Sequence, residues 1–86
     1  MTNQEIFDEM YWEAKINPPA PPMAINRVPY YLVQGYLTKT QARKAAAAAR
    51  KCRYNTHIHD LKRIRGILKG SIGLKNYGLF LHPKGD

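Results

Sequence analysis

The sequence has 86 residues, one cysteine and a formal charge of +8 at neutral pH, with a pI near 9.9. That length fits one small domain with a modest core. The lone cysteine excludes an internal disulfide framework and fits a reducing compartment. No apolar run is long enough for a membrane span, and an acidic N-terminus is the opposite of a secretory leader, so a cytoplasmic protein is expected. The charge is unevenly spread. Residues 1–14 carry −4 and no base, and residues 15–86 carry +12. That asymmetry is expected of a nucleic-acid binder.

In chain order, residues 3–16 read as an amphipathic helix. Ile6, Phe7, Met10, Tyr11 and Ala14 share one face and Glu5, Asp8, Glu9 and Glu13 another, with Thr2 or Asn3 as cap. Two uses stay open for it: a helix that docks and adds core, or an arm that meets a protein partner or a second copy through Phe7, Met10, Tyr11 and Trp12. Its four acids can also fold back on the basic body and compete with phosphate. Pro18 ends it, because the residue before a proline is pushed out of helical geometry. Pro18 to Pro22 then read as a stiff spacer, followed by irregular chain to Pro29. The expected organisation is an acidic N-terminal helix over 1–17, a proline-rich linker over 18–29 and a basic domain over 30–82.

Residues 30–37 suit either a short helix, with Tyr30, Val33 and Leu37 on one side, or a strand, from their aromatic and β-branched content. A short helix ended at Gly35 is the favoured reading.

Residues 38–69 hold ten of the fourteen Lys and Arg residues and a single acid, Asp60. The alanine run predicts a helix capped by Thr38 or Thr40. At 100° per residue Ala42, Ala45, Ala46, Ala49 and Cys52 form a small-residue seam. Arg43, Lys44, Ala47, Arg50, Lys51 and Tyr54 form the opposite face, where no acid offers the usual i, i+4 partner. Unpaired charge in a ridge points to phosphate.

A second helix is expected from Asn55 or Thr56 to Arg65. Ile58, Leu61, Ile64 and Leu68 form its apolar arc, Asp60 lies in its first turn, and Gly66 is its left-handed terminus. Beyond it, Ile67-Leu68 and Tyr77 to His82 flank a turn at Gly73 to Asn76 and read as a β-hairpin, with a frayed tail to Asp86. The expected fold is therefore mainly α with a C-terminal β-hairpin.

The segment Thr56-His57-Ile58-His59-Asp60-Leu61-Lys62-Arg63-Ile64-Arg65-Gly66-Ile67, followed by Asn76-Tyr77-Gly78-Leu79-Phe80, resembles the recognition helix and wing strand of small winged helix-turn-helix proteins, including short phage-type ones. The resemblance spans about residues 35–81. It implies a duplex-DNA-binding regulator with His57, His59, Lys62 and Arg63 in the major groove and Lys69 and Lys75 on the wing near phosphates. Base readout is expected of His59, Lys62 and Arg63. Backbone contact is expected of Lys39, Arg43, Lys44, Arg50, Lys51, Arg53, Lys69 and Lys75. Lys39 to Ala46 also resembles the C-terminal helix of double-stranded RNA-binding domains, which keeps RNA open as a ligand. A third reading is a small phage-type inhibitor that sets the same basic face on an acidic, nucleic-acid-handling enzyme, since charge steering is common to both.

Catalysis is not expected. Outside the first 14 residues only Asp60 and Asp86 are acidic, so the body offers no acid pair. No phosphate-binding glycine loop is present. Cys52, His57, His59 and His82 could ligate zinc, but on a helix His57 and His59 point apart, so no metal or cofactor is expected. The tyrosines read as core residues with wet hydroxyls rather than base-stacking platforms.

Overall fold

The computed structural model describes residues 2–85; the predicted frayed end at Asp86 lies outside them. The elements are α1 (Asn3–Ile16), β1 (Met23–Ile25), β2 (Val28–Tyr36), α2 (Lys39–Lys51), β3 (Tyr54–Asp60) and β4 (Tyr77–Pro83). Three short 3-10 turns at Leu61–Arg63, Arg65–Ile67 and Gly70–Leu74 join β3 to β4. The strands form one antiparallel sheet in the order β1-β2-β4-β3. The last strand of the chain thus lies between the two strands that flank α2.

The sheet is buried on both faces, which the alternation of β4 reports directly. Leu79 and Leu81 point to the side covered by the helices, where they pack with Phe7, Tyr11, Ala46, Ala49, Cys52 and Tyr54. Phe80 points the other way, into a cluster with Ala20, Leu32 and Leu61. Leu79, Phe80 and Leu81 are all fully buried. Leu32 and Val33 divide in the same manner on β2, and a bulge between Leu32 and Gln34 leaves Val33 as an extra residue. Ile64, Leu68 and Ile72 from the 3-10 turns complete the second layer.

The expected fold class is overturned. The chain is not mainly α with a C-terminal hairpin, and no second basic helix runs over residues 55–65. Tyr54, Thr56 and Ile58 face the helices and Asn55, His57 and His59 face away, so the period of two wins over the helical one. The arc of Ile58, Leu61, Ile64 and Leu68 is divided between the two layers. Asp60 caps a 3-10 turn, its Oδ1 accepting from the Lys62 N–H at 2.9 Å. Gly66 is not left-handed; Gly70 is, with φ of 66°. The favoured short helix at 30–37 is likewise strand β2. The wing expected of Ile67-Leu68 is not a strand, and β4 pairs with β2 and β3 instead. The Pro-rich segment closes with a two-residue hairpin, β1 to β2, whose Asn26 and Arg27 both have positive φ, 52° and 67°. This is the twist that tight hairpins favour.

α1 is docked. Thr2 and Glu5 close its capping box, and Phe7, Tyr11 and Ala14 are buried. Two hydrogen bonds hold it: the Tyr54 hydroxyl donates to Asp8 Oδ1 at 2.6 Å, and Gln4 Nε2 donates to the Cys52 carbonyl at 3.1 Å. Burial, followed by the Asp8 contact, pushes the Tyr54 hydroxyl's pKa well up.

Gly78 shows how closely the second layer sits. A Cβ there would lie 2.7 Å from both Leu32 Cδ1 and Leu61 Cδ2. Gly78→Ala is therefore expected to destabilise the fold by about 1–3 kcal/mol through overpacking, measured as a lower midpoint in urea at unchanged m-value. An unchanged midpoint would mean that the leucines have room to move.

Candidate nucleic-acid interface

α2 begins where Thr38 accepts from the Gln41 N–H at 3.2 Å and Gln41 reaches back to the Thr38 N–H at 3.4 Å, a complete capping box. Ala42, Ala46 and Ala49 are buried, with Cys52 behind them and Ala45 and Ala48 partly buried. The alanine seam read from the sequence is thus the face on the sheet. Small side chains let the helix axis lie close to the strands, so its opposite face is displayed from a rigid base.

That opposite face carries Arg43, Lys44, Arg50 and Lys51, all exposed, around the exposed Ala47. Lys39 is exposed at the start of the helix. Among the described residues, no acid pairs with any of them; Arg50 Nη1 donates to the Thr56 hydroxyl at 3.0 Å. Arg53 follows at the turn into β3 and is held with φ of 66°. Arg43 and Arg50 are seven residues apart, roughly 10 Å of helix rise. One strand of duplex DNA carries about three phosphates over that rise.

The remaining predicted contacts fall elsewhere. Lys62 and Arg63 are exposed on the first 3-10 turn, and Lys69 is exposed further on, its N–H donating to the Pro19 carbonyl at 2.9 Å. These three belong to the layer on the other side of the sheet from α2. His59 lies on β3 and also faces away from α2. Lys75 is the exception: it lines, with Lys44, Gln34, Tyr36 and Gln41, a cleft of about 410 Å³ at the end of β2. The structure therefore groups Lys39, Arg43, Lys44, Arg50 and Lys51, with Lys75 at one end and Arg53 past the other, its guanidinium near Gly85. It separates them from His59, Lys62, Arg63 and Lys69. Arg27, on the β1–β2 turn, had no place in the expected interface, and Arg65, expected at the flank of the second basic helix, instead donates from Nη2 to the Lys75 carbonyl at 3.0 Å.

Because residues 54–60 are extended rather than helical, His57 and His59 lie side by side, ring centroids 5.7 Å apart, against Phe80 at 6.2 and 6.3 Å. On the strand the two rings share one face and do not point apart, as they would on a helix. Among the described residues, however, no three of His, Cys, Asp and Glu come together as a metal would need. His82 sits on the same face beside Tyr30, its Nδ1 3.0 Å from the Pro29 carbonyl, so that nitrogen carries the proton. Of the four residues proposed as an interaction surface on α1, Phe7 and Tyr11 are turned into the core. Met10 is partly buried, and Trp12 is 57% exposed with Lys15 Nζ 5.2 Å from its ring centroid.

Compared with known protein families, curated proteins and solved structures, the chain finds no match. No helix among the described residues is long and apolar enough to cross a membrane.

Burial, and then the neighbouring His59, lower the pKa of His57 from the ordinary 6.5. The folded chain therefore takes up this proton less readily than the unfolded one. The resulting stability is fully present above pH 6.5 and is lost as pH falls through that value towards the lowered one. Thermal melts at pH 7.5 and 5.5 are expected to show a drop at the lower pH, and His57→Gln should make that drop smaller. An equal drop in the variant would place the pH sensitivity elsewhere.

Proposed function

We propose that this protein binds nucleic acid, duplex DNA by preference, through the outer face of α2. The observation that carries the reading is the ridge of Arg43, Lys44, Arg50 and Lys51: four exposed bases with no acidic partner among the described residues, on a helix fixed to the sheet by its alanine seam. Isolated surface charges usually find i, i+4 partners or alternate in sign. A ridge of one sign accumulates a potential that is relieved by a polyanion, and its affinity comes from counterion release. Ala47, at the centre of the ridge, leaves room for a phosphate backbone between the two pairs of bases. Lys39, Arg53 and Lys75 extend the track at its ends. Lys62, Arg63 and Lys69, on the far layer, add steering charge in this reading. In this reading the buried, unpaired thiol of Cys52 is consistent with a reducing compartment such as the cytosol.

Mobility shifts with duplex DNA, duplex RNA and single strands at two salt concentrations test this. Arg43→Ala with Arg50→Ala should lower affinity for specific and random duplexes alike and reduce the salt slope by about one phosphate per residue. An unchanged slope takes the ridge off nucleic acid and leaves an acidic protein face as its counterpart.

Arg53 gives a second, sharper test. A left-handed residue just after a helix is ordinarily glycine, and a non-glycine residue there costs about 1–2 kcal/mol. Arg53 holds that conformation, with φ of 66°. Arg53→Gly should therefore raise the melting temperature while weakening duplex binding and flattening the salt slope by about one. If the variant is more stable and binds equally well, Arg53 is not on the track.

A further inference from the structure

The outward side of α1 and the free edge of β2 enclose a groove that the phosphate ridge does not use. Its volume is about 480 Å³, and Ile6, Met10, Pro19 and Val33 are among its walls, with Glu9 and Glu13 at the rim. Ile6 is 40% exposed although its helix is otherwise docked by its apolar face. β1 covers β2 only as far as the pair Met23–Tyr30. From Tyr31 to Gly35, no strand lies on that side, and among the described residues no further backbone hydrogen bond caps it. An open strand edge beside an apolar trough is the arrangement that extended peptides occupy by adding a strand.

The charge of the groove specifies its occupant. Glu9 and Glu13 are exposed, one helical turn apart, and neither carboxylate has a partner among the described residues. On a chain of net charge +8, this is a local acidic rim on an apolar groove. A polyanion is repelled from it. So is a segment bearing acids. We propose that the groove binds an extended segment of a partner protein, added as a strand to the free edge of β2, with apolar residues in the trough and Lys or Arg at Glu9 and Glu13. The spacing is suited to a strand that runs along α1. Alternate residues of a strand stand about 6.6–6.8 Å apart, and four residues of a helix rise about 6 Å, so in that orientation two cations at i and i+2 meet the two glutamates. This surface is separate from the α2 ridge, so the proposal stands or falls independently of nucleic-acid binding.

The test uses the full chain and two labelled heptapeptides, Val-Ser-Val-Ser-Lys-Ser-Lys and the same peptide with glutamate in place of lysine, followed by fluorescence anisotropy. The lysine peptide should bind and the glutamate peptide should not. Glu9→Gln with Glu13→Gln should weaken the lysine peptide by about tenfold, as expected of two rim charge pairs that together contribute about 1.4 kcal/mol. Ile6→Asp should abolish binding, and Arg43→Ala with Arg50→Ala should leave it unchanged. Circular dichroism reports whether Ile6→Asp still folds; if it does not, the glutamate pair decides. Binding of neither peptide, equal binding of both, or indifference to the glutamate substitutions would overturn the proposal. A dimer in sedimentation that Ile6→Asp abolishes would give the groove to a second copy of the chain and overturn it as well.

Discussion

The structure depends on β4 lying between β2 and β3. Leu79, Phe80 and Leu81 are consecutive and all fully buried, which is possible only for a strand with a layer on each face. An 86-residue chain has few residues to build two layers. It does so with two helices on one side and, on the other, a coil of three 3-10 turns plus the proline segment, through Leu61, Ile64, Leu68 and Ala20. The basic segment that follows β3 is thus held by its apolar residues rather than by helix formation. Its lysines and arginines are left exposed in the spaces between them.

The placement of β4 also explains what α2 has become. A helix connecting β2 to β3, with β4 between them, must cross the sheet against Leu79 and Leu81. With α1 also needing room on that face, large side chains on the inner side of α2 would hold it away. Ala42, Ala46 and Ala49 allow close approach. The seam therefore contributes little apolar area per residue, and the larger side chains of Phe7, Tyr11, Tyr54, Leu79 and Leu81 supply the bulk of that layer. With packing confined to one narrow stripe of small residues, the rest of the helix is free to carry charge.

Local signals strong enough to survive any tertiary context were legible. α1 over Asn3–Ile16, the seam of α2, and the strand starting at Tyr77 each combine a clear period with a cap or a flanking turn residue. β2 and β3 were not legible, because their residues satisfy two periods at once. Tyr30, Val33 and Leu37 suit a helix as well as Tyr31, Val33 and Tyr36 suit one face of a bulged strand. Ile58, Leu61 and Ile64 are three apart, although Ile58 ends on one layer and the other two on the second. The choice was made by pairing with β4, a partner 17 or more residues away in sequence, which no local window contains. The β1–β2 hairpin carried one signal, Asn26 at a position that needs positive φ, but Arg27 stands where glycine usually completes it. Of the expected basic surface, the part on the alanine helix was legible as an exposed face because a helix converts spacing into a face. The part assigned to residues 59–63 rested on a helix that is not there.

The distribution of acids follows from the same packing. All four acids of the first 14 residues lie on α1, and their attraction to the basic body suggested that they would cover its basic face. Docking of α1 works against this. Glu5 is turned back on Thr2 in the capping box, and Asp8 accepts from both Gln4 and Tyr54. Glu9 and Glu13 lie along the groove beside β2. Each acid is therefore either committed within α1 and its contact with Tyr54 or turned to a surface away from Arg43, Lys44, Arg50 and Lys51. At physiological salt the screening length is about 8 Å. Charges fixed on separate exposed faces of a small domain then act largely on their own surroundings. The chain can in this way keep an acidic rim and a basic ridge together without either neutralising the other, so that each face presents its own charge to whatever approaches it.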